Sequence, residues 1–307
     1  MAIKKILVTG SSGTIGTRLC EKLLERGYDL VGVDRKPNRW SEKVSKVTVI
    51  GDLVDTHTLE NLPKNFDIVM HLAANVRIYN SVLDPELARE NIHTVFNTLE
   101  FCRKHRVKRF FFASSREVYG NTDELVRSED QMRVRNCESP YSASKISGEA
   151  LVYAYEKCYG IDFVIVRFSN VYGMYDESDR VVPVFIKQTK GNRELVVYGK
   201  EKELDFTYID DAVSGVVKCV DGFERAKNDV YNLASGDATT IVDVAEHIRR
   251  IMGGKNRIKV KENRTGEVVR YAGDISNAAE KLGYRPITGI EEGLEKSVRW
   301  YTENLYA

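Results

Sequence analysis

Signals of several protein classes are weak or missing in this sequence of 307 residues. Its five cysteines are an odd number without a Cys-x-x-Cys pair, which argues against a disulfide framework and a structural zinc site. The five histidines are scattered, so no metal site is predicted. The formal net charge of +1 gives no reason to expect nucleic acid or a membrane surface as a partner.

Long hydrophobic runs are also missing. No stretch approaches the roughly 18 uninterrupted apolar residues of a membrane-spanning helix, and Met-Ala-Ile-Lys-Lys at the start has no apolar signal core. We therefore expect a cytoplasmic protein. Hydrophobic residues make up 42% of the chain, which is enough for a full α/β core, and no internal repeat or low-complexity tract interrupts it.

Short β-branched or aromatic runs alternate with helical patterns through the first half of the chain. The runs begin at Ile6, Leu30, Val47, Ile68, Phe110 and Phe163, and the helical segments cover 17–25, 85–105 and 140–159. Most of these runs have the apolar character of strands buried on both faces. The alternation predicts an α/β fold, with a Rossmann-type doubly wound parallel sheet and helices on both faces.

The alternation of strand and helix patterns becomes less regular after Asn170, and this change predicts a smaller C-terminal α/β substrate lobe. We assign residues 1–170 to the dinucleotide-binding domain, and we expect residues 206–235 to return to its sheet. Residues 171–205 and 236–307 form the predicted substrate lobe. Within that lobe we expect a helix over 181–190, a short strand from Leu195, and amphipathic helices over 240–252 and 290–301.

A glycine-rich turn follows the first predicted strand and opens the first helix, as a pyrophosphate-binding loop requires. In this position Gly10 permits the tight turn, Gly13 lets the backbone approach the phosphates, and Gly16 allows close helix packing. Asp34 follows the second strand, where a carboxylate accepts hydrogen bonds from ribose hydroxyls and repels a 2′-phosphate. This favours NAD over NADP, although Arg35, Lys36 and Arg39 keep NADP open, and Asp52 suits the adenine amino group.

Tyr141 and Lys145 form the most informative pair in the chain. Ser139 and Pro140 predict a helix N-terminus, which places Tyr141 in the first turn and Lys145 one turn later on the same face. A nearby ammonium favours the phenolate of a tyrosine whose ordinary pKa is about 10, so the pair predicts an acid/base tyrosine activated by lysine.

Eight motifs occur in order along the chain: the glycine loop, Asp34, Gly51-Asp-Leu53, His71-Leu-Ala-Ala74, Asn91, Ser114-Ser-Arg-Glu-Val-Tyr-Gly120, Tyr141-x-x-x-Lys145 and Asn170-Val-Tyr-Gly173. This set closely resembles the extended short-chain dehydrogenase/reductase family, the NAD-dependent nucleotide-sugar epimerases and dehydratases. The resemblance continues through Gly273 and Leu282 to Trp300, and so covers essentially the whole chain.

The resemblance implies a set of roles for individual residues. The implied catalytic residues are Ser115, Tyr141 and Lys145. In this reaction Tyr141 takes the proton from the sugar 4-hydroxyl while hydride passes to NAD. Cofactor binding falls to Gly10, Gly13, Thr14, Ile15, Gly16, Asp34, Asp52, Leu53, Leu72, Ala73, Ala74, Asn91, Tyr141 and Lys145. Binding of a nucleotide-diphosphate sugar falls to Ser115, Asn170, Arg180, Val181, Tyr198, Arg264 and Glu267.

The motifs define the reaction less closely than the family, because Arg116 and Glu117 follow Ser115. The 4,6-dehydratases of the family carry Asp-Glu there, and typical 4-epimerases carry small residues. We predict a UDP-hexose 4-epimerase that acts through a transient 4-keto sugar. Glu117 is either a further acid/base, as in a dehydratase or UDP-glucuronate decarboxylase, or the solvated partner of Arg116. The sequence also leaves open a net reductase and a non-enzymatic redox sensor that binds the dinucleotide.

The substrate lobe departs from the family pattern at two positions. Leu204 stands where an arginine usually binds phosphate, and Arg180 stands where asparagine or glutamate is usual. Arg180 could supply the displaced charge, since an arginine fork suits phosphate. The two helical segments 85–105 and 140–159 carry apolar residues, including Val95, Phe96 and Val152, around much of their circumference. We therefore predict a homodimer through a four-helix bundle of these segments, as is common in the family.

Overall fold

The computed structural model describes residues 3–306, so Met1, Ala2 and Ala307 of the predicted domain ranges lie outside it. Its strands are β1 (Lys5–Thr9), β2 (Asp29–Asp34), β3 (Thr48–Ile50), β4 (Ile68–His71), β5 (Arg109–Ser115), β6 (Val126–Arg127), β7 (Asp162–Phe168), β8 (Asn170–Tyr172), β9 (Leu195–Tyr198), β10 (Glu203–Tyr208), β11 (Asp229–Leu233), β12 (Ala238–Thr240), β13 (Ile258–Lys261) and β14 (Arg270–Gly273). Its helices are α1 (Thr14–Glu25), α2 (Glu42–Val47), α3 (Thr56–Glu60), α4 (Ile78–Leu83), α5 (Glu86–His105), α6 (Pro140–Tyr159), α7 (Val181–Lys190), α8 (Ile209–Asp221), α9 (Phe223–Ala226), α10 (Ile241–Ile251), α11 (Ser276–Leu282) and α12 (Ile290–Asn304).

Seven of the described strands form one parallel sheet in the order β11-β7-β5-β4-β1-β2-β3. The order reverses at β1, next to β4, so the carboxyl ends of these two strands frame a crevice. The Rossmann-type doubly wound sheet predicted from the sequence is confirmed. Because parallel strands need crossovers, helices cover both faces of this sheet.

Consecutive residues of β1 show how both faces of the sheet are buried. Ile6 and Val8 belong to one hydrophobic cluster and Leu7 to another, and all three are fully buried. Phe111 and its neighbours Phe110 and Phe112 divide between the same two clusters. A run without alternation therefore gives a central strand. The edge strand β3 differs, since its residues are exposed or half-buried.

A second sheet of five strands contains β12, β10, β14 and β6 in that order, with β8 also pairing with β10, in the part of the chain described. Of the residues 206–235 expected to return to the main sheet, β11 pairs with β7 in that sheet, whereas residues 206–208 lie in the second sheet. Those residues belong to β10, because Phe206, Thr207 and Tyr208 pair in parallel with Asn170, Val171 and Tyr172. The expected helix at 181–190 and the strand at 195–198 are both present.

Three further observations concern the cysteines, possible metal ligands and membrane-spanning helices. All five cysteines are free thiols, and three of them are buried. Within residues 3–306, no three His, Cys, Asp or Glu side chains are grouped as metal ligands would be. No helix in the same range combines the length and the apolar character needed to cross a membrane.

Candidate active site

The turn from β1 to α1 forms a cradle of backbone. Gly10 has a φ of +74°, and a Cβ there would lie 2.8 Å from the backbone nitrogen of Ala73. A Cβ on Gly16 would lie 1.9 Å from the Gly10 carbonyl oxygen, so only glycine lets α1 start this close to the turn. Gly13 precedes α1 and is less tightly enclosed, since a Cβ there would lie 3.3 Å from the same oxygen. The turn thus presents the helix N-terminus to the crevice, which is the arrangement that binds a pyrophosphate.

Asp34 ends β2 beside this turn. Its carboxylate accepts hydrogen bonds from the backbone nitrogens of Ser12 at 3.0 Å and Lys36 at 3.1 Å. Of the three cations that kept NADP open, Lys36 lines the cleft and the two arginines are already paired: Arg35 donates to Asp52 and to Glu90, and Arg39 pairs with Glu177. Asp34 therefore meets a cofactor without a free arginine beside it to attract a 2′-phosphate, which agrees with a preference for NAD.

The loop after β4 forms the floor of the crevice, and hydrogen bonds to side chains of β1 and α5 fix its position. The Thr9 hydroxyl bonds to Nδ1 of His71 at 3.0 Å and accepts from the Ala73 nitrogen at 3.3 Å. Asn91, predicted to contact the cofactor, accepts from the nitrogen of Asn75 and donates to its carbonyl oxygen. The amide of Asn91 is thus used to fix this loop. Burial lowers the pKa of His71 to about 3, so His71 is a neutral packing residue.

Helix α6 places Tyr141 and Lys145 as the sequence predicted. The Ser139 hydroxyl accepts from the Ser142 nitrogen at 3.2 Å and caps the helix, with Pro140 in the first turn. The Lys145 ammonium lies 5.8 Å from the centroid of the Tyr141 ring. Ser115, at the end of β5, hydrogen-bonds to Tyr141. A strand end and a helix start therefore bring three predicted catalytic side chains together.

The expectation that Lys145 lowers the pKa of Tyr141 towards neutral pH is not confirmed in the structure. Burial raises the pKa of Tyr141 to about 12, and the hydrogen bond from Ser115 offsets this only in part. Lys145 donates to the carbonyl oxygen of Ala113 at 2.8 Å, and its ammonium lies beside the Tyr141 ring. Burial lowers the pKa of Lys145 itself to about 8, against an opposing effect of Glu149.

Arg116 and Glu117 follow Ser115 in a 3-10 turn, and the Glu117 nitrogen donates to the Ser115 hydroxyl at 3.2 Å. Of the two alternatives left open for Glu117, the solvated partner of Arg116 does not fit the structure, since both side chains are almost fully buried. Nη2 of Arg116 lies 2.7 Å from Oε1 of Glu117 and also donates to Oδ1 of Asn170 at 3.1 Å. Burial raises the pKa of Glu117, although the Arg116 charge opposes the shift.

The predicted substrate residues lie at the other end of the same crevice. Asn170 donates to the carbonyl oxygen of Asp205 at 2.8 Å, and Arg180 precedes α7 with Asp176 3.7 Å away. The Arg264 guanidinium lies 4.0 Å from the centroid of the Tyr198 ring and lowers the pKa of that tyrosine. Glu267 accepts from Lys202 at 2.5 Å.

Every residue predicted for catalysis, cofactor binding or substrate binding lines a single cleft of about 1180 Å³. This exceeds the roughly 300–1,000 Å³ of a pocket for one drug-sized ligand, so the cleft has room for a dinucleotide and a second large molecule. Tyr79 and Lys202 are among the wall residues that sequence reasoning missed. The sequence carries a partial signal for Lys202: it stands two positions before Leu204, so in an extended strand both side chains point to the same face. Nothing in the sequence shows that Lys202 is buried.

Comparison with known proteins agrees with this geometry. Residues 6–234 match the model of the NAD dependent epimerase/dehydratase family. An uncharacterized UDP-glucose epimerase of Bacillus subtilis is 32% identical over 98% of this chain and 99% of its own. The chain therefore belongs to the NAD-dependent epimerase/dehydratase family, and its cofactor is NAD.

Two solved structures of other proteins have nearly the same fold. UDP-glucose 4-epimerase of Thermotoga maritima with UDP-glucose has a TM-score of 0.89 at 28% identity, over 98% of this chain and 99% of that one. UDP-glucuronic acid 4-epimerase of Bacillus cereus with UDP-glucuronic acid and NAD has a TM-score of 0.87 at 28% identity, over 97% of this chain and 99% of that one. The family and fold are therefore those of NAD-dependent sugar-nucleotide epimerases.

Proposed function

We propose that this protein is a NAD-dependent 4-epimerase of UDP-hexoses that acts through a transient 4-keto sugar. One observation supports this most strongly: Ser115, Tyr141 and Lys145 meet in the cleft that also contains the glycine turn and Asp34. The similarity to epimerases solved with UDP-sugars adds the substrate class. Residues 171–205 and 236–307 are proposed as the lobe that binds the nucleotide sugar.

Each catalytic side chain has a separate task in this proposal. Ser115 holds the sugar 4-hydroxyl by a hydrogen bond, and Tyr141 accepts the proton from that hydroxyl at its phenol oxygen. NAD, when bound, accepts the hydride from C4 of the sugar and later returns it. Lys145 holds the nicotinamide ribose, with its ammonium 5.8 Å from the centroid of the Tyr141 ring.

Inversion at C4 then needs only a turn of the 4-keto sugar in the cleft. Returning the hydride to the opposite face of C4, with the proton going back from Tyr141 to the oxygen, gives the epimer and leaves the redox state of the cofactor unchanged. No second acid or base is required for this route. The predicted dinucleotide contacts, Gly13 and Asp34 among them, have to keep the cofactor bound throughout.

Product analysis tests the proposal. The purified protein is incubated with UDP-glucose, UDP-galactose, their N-acetyl forms and UDP-glucuronate, with and without added NAD, and products are resolved by chromatography and mass spectrometry. We expect an isomer of unchanged mass without net consumption of NAD. No turnover of any of these sugars by the NAD-loaded protein would contradict the proposal and favour a redox sensor that binds the dinucleotide without catalysis.

A second candidate, a dehydratase or decarboxylase, is favoured by the state of Glu117. Its carboxyl is 2% exposed, lines the cleft next to Ser115, and has a raised pKa because of burial. A carboxyl whose pKa burial raises holds a proton more readily than an exposed glutamate, as a general acid must. In the same assay this candidate predicts a product lighter by water or by carbon dioxide.

We also propose a homodimer in which α5 and α6 of two copies form a four-helix bundle. The two helices lie side by side in one subunit, joined by hydrogen bonds from Tyr155 to Glu100 at 2.7 Å and from Asn91 to Ser144 at 3.2 Å. Large apolar side chains remain exposed on them, among them Phe96, Tyr153 and Tyr159. Burial of these side chains against a second copy would stabilise the pair.

A further inference from the structure

A buried ion pair lies behind the wall of the cleft, next to the catalytic end of β5. Glu149 on α6 accepts two hydrogen bonds from the fork of Arg167 on β7, from Nε to Oε1 at 2.9 Å and from Nη2 to Oε2 at 2.8 Å. The hydroxyl of Ser114 on β5 also donates to Oε1 of Glu149, at 2.5 Å. Ser114 and Arg167 are direct neighbours across the two parallel strands. The position of Glu149 is therefore fixed from two strands of the sheet.

The surroundings hold this pair in one arrangement. Nη1 of Arg167 donates to the Tyr119 hydroxyl at 3.1 Å and to the Glu129 carbonyl oxygen at 2.7 Å, so each nitrogen of the guanidinium has a partner. Helix α6 also packs closely on β5, since a Cβ on Gly148 would lie 2.4 Å from the Phe112 ring. The helix therefore has a fixed height on the strand.

Lys145 and Glu149 lie one turn apart on the same face of α6. Lys145 donates to the carbonyl oxygen of Ala113 at 2.8 Å, and Glu149 binds the hydroxyl of the next residue, Ser114. The ammonium and the carboxylate are thus both directed at the same end of β5. This arrangement places a fixed negative charge one turn from the lysine that is proposed to hold the nicotinamide ribose.

The ion pair is almost completely withdrawn from water. The side chains of Arg167 and Glu149 are 3% and 1% exposed. Among the described residues, the lining of the cleft includes Ser114 and Lys145 and neither member of the pair. Taking two charges out of water costs free energy that pairing recovers only in part, and an apolar pair of similar size avoids this cost. Stability alone therefore gives no reason for charges at these two positions, whereas an effect on a third charged group does.

Several ionisable groups surround this end of α6. They are Tyr141 and Glu149 on the helix itself, His71 on β4, Arg167 on β7, and Arg116 and Glu117 in the turn after β5. His71 is neutral, and Arg116 and Glu117 act on Tyr141. Burial lowers the pKa of Lys145 to about 8, and the negative charge of Glu149 opposes this shift. Without Glu149, burial would leave more of the lysine as the neutral amine.

We propose that Glu149 is a positioning residue for Lys145. Held by Arg167 and Ser114, its carboxylate keeps Lys145 charged at the point where the lysine binds the cofactor. A charged ammonium forms a stronger hydrogen bond to a ribose hydroxyl than a neutral amine does. Because Glu149 lies behind the wall of the cleft, it acts through Lys145. The inference rests on the role proposed for Lys145 in cofactor binding and is independent of which sugar is turned over.

The ionisation of Lys145 tests the inference directly. It is followed by heteronuclear NMR of the NAD-loaded, full-length protein with lysine side chains labelled at Cε, and the Lys145 signal is identified by its loss in Lys145→Arg. In Glu149→Gln we expect the titration midpoint of Lys145 to fall by about one pH unit or more, because the lysine loses the attraction of the carboxylate and keeps the repulsion of Arg167. An unchanged midpoint would overturn the inference.

Two further variants separate the charge of Glu149 from its packing. Glu149→Asp retains the carboxylate, so its midpoint should lie closer to that of wild type than to that of Glu149→Gln. Ser114→Ala removes one hydrogen bond and leaves both charges of the pair, so it should keep the wild-type midpoint. Equal shifts in Glu149→Asp, Ser114→Ala and Glu149→Gln would show an effect of packing and overturn the inference.

A double variant covers the case in which Glu149→Gln does not fold. That single variant leaves the Arg167 charge buried without a carboxylate, whereas Glu149→Gln/Arg167→Met removes both charges. The midpoint of Lys145 should still fall in the double variant, by a smaller amount, because the repulsion from Arg167 is removed as well. A wild-type midpoint in the double variant would count against the inference.

Release of NAD shows whether the charge of Lys145 matters for the cofactor. The rate of NAD dissociation from the loaded protein is measured from about pH 6 to about pH 9 by trapping the released cofactor. For wild type we expect release to accelerate as Lys145 loses its proton, and in Glu149→Gln we expect the same acceleration at lower pH. A release rate that does not follow the Lys145 midpoint would overturn the inference. Neither measurement depends on turnover, so this inference and the epimerase proposal can fail separately.

Discussion

Tyr141 is the residue whose loss should affect the reaction most. Removing a positioned acid/base typically costs roughly 100- to 10,000-fold in rate, so we expect kcat of Tyr141→Phe to fall by that range. Binding of NAD should persist, because the phenol oxygen is proposed to act on the sugar. Steady-state kinetics and a cofactor-binding titration measure both. Tyr28→Phe is the control, because Tyr28 lies outside the cleft and outside α5 and α6. More than a tenth of wild-type activity in Tyr141→Phe would contradict the assignment.

His71 gives the chain a predictable dependence of stability on pH. Its pKa is about 3 in the folded protein and about 6.5 in the unfolded chain, so the unfolded chain binds more protons as pH falls from 6.5 towards 3. The stability contribution of neutral His71 is complete above pH 6.5 and is lost below it. We expect this residue to lower the free energy of unfolding by about 2 kcal/mol between pH 7 and pH 5.

Urea unfolding at the two pH values measures this change. His71→Gln should remove it from the difference between pH 7 and pH 5, whatever its effect on stability at pH 7. His57→Gln is the control, since the side chain of His57 is 80% exposed. Identical differences in His71→Gln and wild type would show that His71 does not make the expected contribution.

The residues around Ser115 mark the limit of sequence reasoning at this scale. The local spacing of Tyr141 and Lys145 placed these two side chains on one helix face, and the family resemblance added Ser115 from the end of another element. The sequence left two roles open for Glu117, a solvated partner of Arg116 and an acid/base. The burial of Glu117 depends on Lys202 and Glu267, which lie about 85 and 150 positions further along the chain, and no spacing rule predicts such contacts. The contact between Arg264 and Tyr198 was out of reach for the same reason.

At the scale of elements, the turn between β1 and α1 allows a matched pair of substitutions. In Gly16→Ala the new Cβ would lie 1.9 Å from the Gly10 oxygen, so the turn must open and we expect a fall in melting temperature with loss of NAD binding. In Gly13→Ala the nearest atom is the same oxygen at 3.3 Å. That variant should fold near the wild-type melting temperature and still bind NAD more weakly, because the methyl group occupies space next to the pyrophosphate.

Thermal denaturation and a cofactor titration distinguish the two variants. Equal melting temperatures for Gly16→Ala and Gly13→Ala would contradict the steric interpretation of the turn. Wild-type affinity for NAD in Gly13→Ala would contradict the assigned position of the phosphates.

Helix α6 and strand β10 show why some elements were predictable and others were not. The helix covers residues 140–159 as predicted, since Ser139, Pro140 and Gly160 are local signals that act within one turn. Strand β10 was assigned to the main sheet and lies in the second sheet. Its partners Asn170 and Ala238 come from different parts of the chain, and a short apolar strand carries no information about which partner it meets.

At the scale of the whole molecule, the proposed homodimer can be tested by the mass of the protein in solution. Phe96 on α5 is 46% exposed and Tyr159 on α6 is 45% exposed, and both would be buried by a second copy. A glutamate at position 96 would carry a charge into that apolar contact, which costs far more than exposure in a monomer. We therefore expect light scattering at about 10 µM to give twice 34.9 kDa for wild type and close to 34.9 kDa for Phe96→Glu.

Ile287→Glu is the matched control, because Ile287 is 84% exposed and lies outside α5 and α6. A charge at that position leaves the proposed four-helix bundle untouched, so this variant should keep the mass of wild type. A monomeric mass for wild type would defeat the dimer outright. Dissociation of Ile287→Glu together with an intact Phe96→Glu dimer would show that two copies associate through a different face, and that the exposed apolar residues of α5 and α6 have another role.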